Sequence, residues 1–219
     1  MDAIADGRHP DAAIEEWVFA AWTDDARLGV IAGHRIVGRT AWYWAALARA
    51  GRELLHVADF HVPVRADPFV IKGDGLWAEH QCDAPMEQWS IGNETFAAAI
   101  DPDDALGRAY GAPTPMAFDL EWYATGAARP IADGYEQPGT VHGAIEVAGE
   151  ATTELAEVPA HRWHRWLAPA ADAVLGSLRL PVIVAHTGVR APFAFPDGRV
   201  DDLVLVPAGW ARRRTVSPR

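Results

Sequence analysis

The sequence predicts an all-β protein: a lipocalin-like antiparallel β-barrel, or two fused lipocalin-like β halves with one short helix between them. Three observations carry this. Short runs rich in aromatic and β-branched residues follow one another at roughly the 8 to 12 residue spacing of sandwiches and barrels. Gly, Pro, Asn and Asp clusters punctuate them. Ten tryptophans fall mostly inside these runs, where large aromatics fit a pleated, half-buried surface.

In chain order, residues 14–22 (IEEWVFAAW), 28–37 (LGVIAGHRIV), 41–48 (AWYWAALA) and 53–62 (ELLHVADFHV) read as four strands joined by short turns, an antiparallel meander. The Ala-rich 41–48 run could form a helix on propensity, but the Trp42-Tyr43-Trp44 pattern and the glycine-bounded neighbours favour a strand. After a loop at 63–68, short strands are expected at 69–72, 76–83, 86–91 and 95–100, with Gly92-Asn93 as a hairpin turn between the last two. Asp101-Pro102-Asp103-Asp104 opens a helix of about two turns. Asp101 is its N-cap, Pro102 its first residue, and the carboxylates lie against the positive end of the dipole. Pro113 and Pro115 then mark a midpoint between halves 1–112 and 113–219, which could also form one continuous domain. The second half offers strands at 116–124, 141–147, 152–155 and 158–167, with a loop through 133–139. Residues 168–177 are loop or short helix. Strands at 181–189, 193–195, 202–206 and 210–214 finish the chain, turning at the Pro-Asp-Gly and Pro-Ala-Gly triplets. So many short strands favour a closed sheet, which leaves no edges to aggregate.

Composition excludes several classes of function. With 30 acidic against 19 basic residues the formal net charge is −11, and no Lys/Arg run is dense enough to track phosphates, so nucleic acid is not expected as a partner. Cys82 is the sole cysteine; it forms no internal disulfide and no cysteine metal cluster, and reads as core. The opening MDAIADGRHPDAA lacks the basic and apolar regions of a signal peptide, and no apolar run approaches a membrane span. The expectation is a cytoplasmic protein without stable membrane insertion, as a monomer or a homodimer. Nucleophile-elbow, phosphate-loop and dinucleotide fingerprints are absent.

The densest chemistry lies at 158–167, VPAHRWHRWL. Strand alternation puts Arg162, His164 and Trp166 on one face and His161, Trp163 and Arg165 on the other. A barrel interior holding the first set would offer a fixed cation, a group titrating near neutrality and an apolar wall. In FDLEWY, residues 118–123, Asp119, Glu121 and Tyr123 share a face that is either solvent or polar lumen. In a lumen, one carboxylate could gain a raised pKa and act as acid or base. His80 and His142 add imidazoles on separate strands. His161 and His164 point to opposite sides and cannot share an ion, and no His-x-His pair is present, so no metal is expected.

The layout resembles the lipocalin-like superfamily of carotenoid 1,2-hydratases (hydroxyneurosporene synthases) and their bacterial relatives. The residues that carry this are Glu16-Trp17, Trp42-Tyr43-Trp44, the stretch from Trp77 to Trp89, and Arg162-Trp163-His164-Arg165-Trp166. Relatives carry R-D-H-x-W-G at the last place; here Arg162, His164 and Trp166 match, while Trp163 and Leu167 depart. The resemblance implies β halves around an apolar cavity that accepts a terpenoid, polyketide or similar molecule.

The expected function is therefore a cofactor-independent hydratase, isomerase or cyclase. His164, Glu121 and Asp119 would be catalytic, and Arg162, Trp166, Tyr123, His142, His80, Trp44 and Trp122 would bind a hydrophobic substrate in a Trp-lined cavity. The alternatives are a non-catalytic carrier of an apolar ligand, and a barrel filled by its own tryptophans.

Overall fold

The computed structural model describes residues 6–9, 11–25, 27–100, 111–131 and 134–167, and backbone strands at 193–194, 200–206 and 209–213. The strands are β1 (Ile14–Trp22), β2 (Leu28–Val37), β3 (Thr40–Arg49), β4 (Leu54–Pro63), β5 (Val70–Gly73), β6 (Leu76–Ala84), β7 (Gln88–Ile100), β8 (Ala112–Ala124), β9 (Arg129–Ile131), β10 (Gly134–Val147) and β11 (Thr153–Leu167). The short strands β12 (Phe193–Ala194), β13 (Val200–Val206) and β14 (Gly209–Arg213) form a separate sheet. The helix expected to open at Asp101, the loop or short helix expected at 168–177 and the strand expected at 181–189 fall on residues outside those described.

The first eleven strands make one antiparallel sheet that closes into a barrel. The meander β1 to β4 forms as the turn residues require. β11 returns to pair with β1 from Ile14↔Leu167 to Ala21↔Ala160. At the other seam, Leu54, Leu55 and His56 of β4 pair with Ile100, Ala99 and Ala98 of β7. The ring thus runs β1, β2, β3, β4, β7, β8, β10, β11 and back to β1. The β5–β6 hairpin adds to the free half of β7. The sheet continues across the 112/113 boundary, because β7 and β8 are paired neighbours.

Three segments differ from the sequence expectation. Gly92-Asn93 does not turn the chain: β7 runs straight through it. A Cβ at Gly92 would lie 3.1 Å from the Trp77 ring. Asn93 is buried, accepting from the Tyr43 hydroxyl at 2.7 Å and donating to the Met116 carbonyl at 3.3 Å. The pair is shaped by packing, and the actual turn before β7 uses Met86 with φ 64°. Residues 134–139, expected as loop, belong to β10. Tyr135 and Gln137 point inward there, and Pro138 stands between the last residue paired with β9 and the first paired with β8, so its missing N–H forfeits no ladder bond to either. Finally, 153–167 is one strand interrupted by a bulge. Glu157 has φ 52°, and the register shifts opposite Val141 and Gly143.

Inward-facing residues form the core: Trp17, Phe19 and Ala21 of β1, Tyr43 and Leu47 of β3, Trp89 and Ile91 of β7, Phe118, Leu120 and Trp122 of β8. A barrel of roughly eight strands has an interior that side chains just fill. Among the described residues the centre of the barrel is closely packed. Trp17, Trp89 and Trp122 are all fully buried, and the space bounded by Phe19, Ala21, Val30, Ala32, Ile91 and Leu120 is about 10 Å³, room for one water at most.

The outer faces of β1, β2, β3 and β11 are buried as well. Large indoles there lie over glycines of the neighbouring strand, Trp22 over Gly29 and Trp44 over Gly33. On the same face Glu16 stands opposite Arg35 of β2 and Arg165 of β11. It receives Arg35 Nε at 2.9 Å and lies 3.6 Å from Arg165 Nη1.

Candidate functional site

Alternation along β1 places Glu15 on the same face as Trp17, Phe19 and Ala21, inside the barrel at its rim. Alternation along β11 places Arg162, His164 and Trp166 on the adjoining inner wall. Arg162 is 1% and His164 0% exposed. The segment Asp6–His9 packs against this end, with Asp6 O accepting a 3.2 Å bond from the Trp17 indole. Two polar clusters result.

The first surrounds Arg162. Its Nη1 meets Asp6 Oδ1 at 2.5 Å, and Nε and Nη2 reach Gln137 Oε1 at 3.0 and 2.6 Å. The guanidinium carbon lies 4.8 Å from the Trp122 ring centre and 5.1 Å from that of Tyr135, within cation–π range. Asp6 also accepts from the Tyr135 hydroxyl and the Met86 N–H. Burial alone would raise the Asp6 pKa, but the Arg162 charge and these bonds outweigh it and hold the carboxyl below its usual value. Burial pushes the Tyr135 hydroxyl well above its usual value and the nearby Cys82 thiol up to about 11, so neither ionises near neutrality.

The second cluster is built on Glu15, a carboxylate 1% exposed. It accepts from His9 Nδ1 at 2.7 Å, from the His9 backbone N–H at 3.0 Å, and from His164 Nε2 at 2.8 Å. An ionised carboxylate only accepts, so both imidazoles turn an N–H toward it. Aromatic stacking fixes both rings. His9 lies on Trp166 at 4.1 Å and His164 on Trp17 at 4.7 Å. The His9 side chain is 27% exposed, so the chain from His9 through Glu15 to His164 leads from the mouth to the core. Deeper still, Trp17 stacks on His34, whose Nδ1 lies 2.8 Å from His80 Nδ1.

The other sequence candidates fall elsewhere. Asp119 and Glu121 are exposed on the outer side of β8. Tyr123 donates to Glu121 at 2.5 Å and meets the His142 ring edge-on, forming a separate surface group. Trp44 lies over Gly33 on the outer face, Trp122 beneath Arg162, and His80 in the interior. Trp166 is half-buried at the mouth. An open groove of about 750 Å³ beside Leu76, Phe96 and Val147 lies at the opposite end of β10 from Tyr135.

Sequence reading missed Asp6, His9 and Glu15. The available signal was Glu15 itself, a charge on the same strand face as Trp17 and Phe19. No helix among the described residues is long and apolar enough to cross a membrane. A family model described as a domain of unknown function, DUF7064, matches residues 2–176. No curated protein and no solved structure matches the chain.

Proposed function

The chain belongs to the DUF7064 family, whose matched span includes every side chain at the barrel mouth, and from this premise we propose an enzyme that moves a proton on a hydrophobic small molecule docked there. The reaction is of the hydratase, isomerase or cyclase type. The observation that carries the proposal is the bridge at Glu15, which takes a hydrogen bond from each of two imidazoles at one oxygen. With Nδ1–H held by Glu15, the His9 lone pair sits on Nε2, the arrangement a general base requires. Glu15 stabilises the imidazolium that forms, and His164 braces the carboxylate from the core side. The exposed part of Trp166 and the His9 ring stacked on it offer a flat apolar platform to the substrate.

The likeness of the Arg162 to Trp166 string to lipocalin-like carotenoid hydratases supports a terpenoid or polyketide class of substrate. Arg162 then keeps the mouth in shape through Asp6 and Gln137 and does not meet the substrate.

The test is incubation of the purified chain with a panel of polyenes and aromatic polyketides in deuterated water, followed by mass spectrometry. Product, or deuterium incorporation, that falls at least 100-fold in both His9→Ala and Glu15→Gln is expected. Conversion undiminished in both variants overturns the proposal. So does a co-purified apolar molecule that is bound, returned unchanged and never exchanges hydrogen, which would assign carriage.

A further inference from the structure

We propose that His9 Nδ1, Glu15 and His164 Nε2 form a binding site for one divalent first-row transition metal ion. The residues are those of the proposed active site, and the two states exclude each other at His9, since an ion on Nδ1 replaces the N–H held by Glu15 and leaves the proton on Nε2; ion binding is therefore measured without substrate and stands or falls independently of turnover. Two imidazole nitrogens and a carboxylate oxygen are a donor set suited to zinc or ferrous iron, with coordination positions left open. Their ligating atoms all lie within 4.8 Å of one another. Ligands roughly 2.0 to 2.2 Å from a common ion are about 3 to 4 Å apart, so closing the set asks for a shift on the order of 1 Å. His9 can make it, being partly exposed and carried by the segment ahead of β1, while Glu15 and His164 are buried on strands.

Electrostatics points the same way. Among the described residues, Glu15 has only imidazole and backbone partners. Three buried arginines are directed to other acids: Arg162 to Asp6, and Arg35 and Arg165 to Glu16 on the outer face. A buried carboxylate calls for a cation, and a metal ion between the two rings supplies one. The surroundings also supply what a metal site needs beyond its ligands. Trp166 and Trp17 clamp the two rings, and the His9 N–H holds the carboxylate. Solvent reaches the site on the side of His9, whose side chain is 27% exposed.

The experiment is calorimetric titration of the chelator-treated full chain with Zn²⁺, with Co²⁺ as a spectroscopic probe. One ion per chain is expected, with a Co²⁺ absorption spectrum of low-coordinate nitrogen and oxygen ligation. Affinity should fall at least 100-fold in His9→Ala, which alters a partly exposed ligand and spares the core, and similarly in Glu15→Gln. Absence of stoichiometric binding overturns the proposal, as does binding that neither variant weakens. No substrate enters the measurement, so a failure to find turnover leaves this result intact. Conversely, turnover that persists in chelator-treated protein lacking any metal affinity would retain the proton-transfer proposal and discard the ion.

Discussion

Asp6 and Arg162 form an ion pair in which each side chain is 1% exposed, joined at 2.5 Å across 156 residues of sequence. The pair pins the segment ahead of β1 onto the last strand of the barrel. Removing one partner strands the other charge in the core, which typically costs about 3–5 kcal/mol. Asp6→Ala should lower the denaturant midpoint accordingly, whereas Asp6→Glu should recover part of the loss. The pair also has a pH signature. The Asp6 carboxyl is held below its ordinary value of 3.8, so its contribution is present above that pH and disappears as pH falls below it. An acid-unfolding curve of Asp6→Asn should lack this final step.

Gly33 lies beneath Trp44 so closely that an added Cβ would sit 2.3 Å from Cζ2 of the indole. Trp44 is 2% exposed and has no room to withdraw. Gly33→Ala should therefore destabilise by about 1–3 kcal/mol, read as a drop in thermal midpoint. A smaller residue at position 44 in the same chain should relieve the clash, so the double variant Gly33→Ala/Trp44→Leu should lose less than the two single losses summed.

What could be read from the sequence follows from the range of the interactions. The meander β1 to β4 was legible because each run ends at its own turn residues, and the grouping of Arg162 with His164 and Trp166 was legible because a strand alternates strictly. Gly92-Asn93 and Pro138-Gly139 misled because the signals that mark turns also serve packing. Gly92 makes room for Trp77 and Asn93 bonds Tyr43, fifty residues away. The site itself was half legible. His164 carried a recognisable pattern, but its partner Glu15 is 149 residues distant, and no local pattern announces that closure of the barrel brings β1 beside β11. Nor does alternation say which face is inside: Asp119 and Glu121 share a face as expected, and it is the solvent-exposed one.

Three imidazoles define a second pH window. Burial holds His56 down to about 4 and His80 down to about 3, and lowers His34 well below its ordinary value. Neither Nε2 of the His34–His80 pair meets a hydrogen-bonding partner, so a proton there would be poorly solvated. In the unfolded chain these rings take up protons near pH 6.5. The unfolded state therefore binds more protons below that pH, and stability falls as pH drops from about 6.5 toward 4, by up to roughly 1.4 kcal/mol per pH unit for each ring. The thermal midpoint should be flat above pH 7 and decline below it. The double variant His34→Gln/His80→Gln should show a shallower decline across that range. An unchanged slope would mean that these rings are not neutral in the folded state.

The bond from Tyr43 to Asn93 tests whether Asn93 serves the core or a turn. Asn93 is 1% exposed, with its carbonyl oxygen accepting from Tyr43 and its amide donating to the Met116 carbonyl. Replacing it by Leu keeps the branched shape but leaves the Tyr43 hydroxyl and the Met116 carbonyl buried without this partner, a penalty of about 1–3 kcal/mol. Tyr43→Phe alone orphans only the Asn93 oxygen. In the double variant Tyr43→Phe/Asn93→Leu the hydroxyl is gone as well, so the combined loss should fall short of the sum by the energy of their coupling, measurable by a double-mutant cycle in urea. Strict additivity would show that the two side chains do not interact. A turn role for Asn93 predicts something different: Asn93→Gly would be tolerated, whereas the buried bond requires Asn93→Gly to destabilise at least as much as the leucine variant, by loss of both hydrogen bonds together with the side-chain volume.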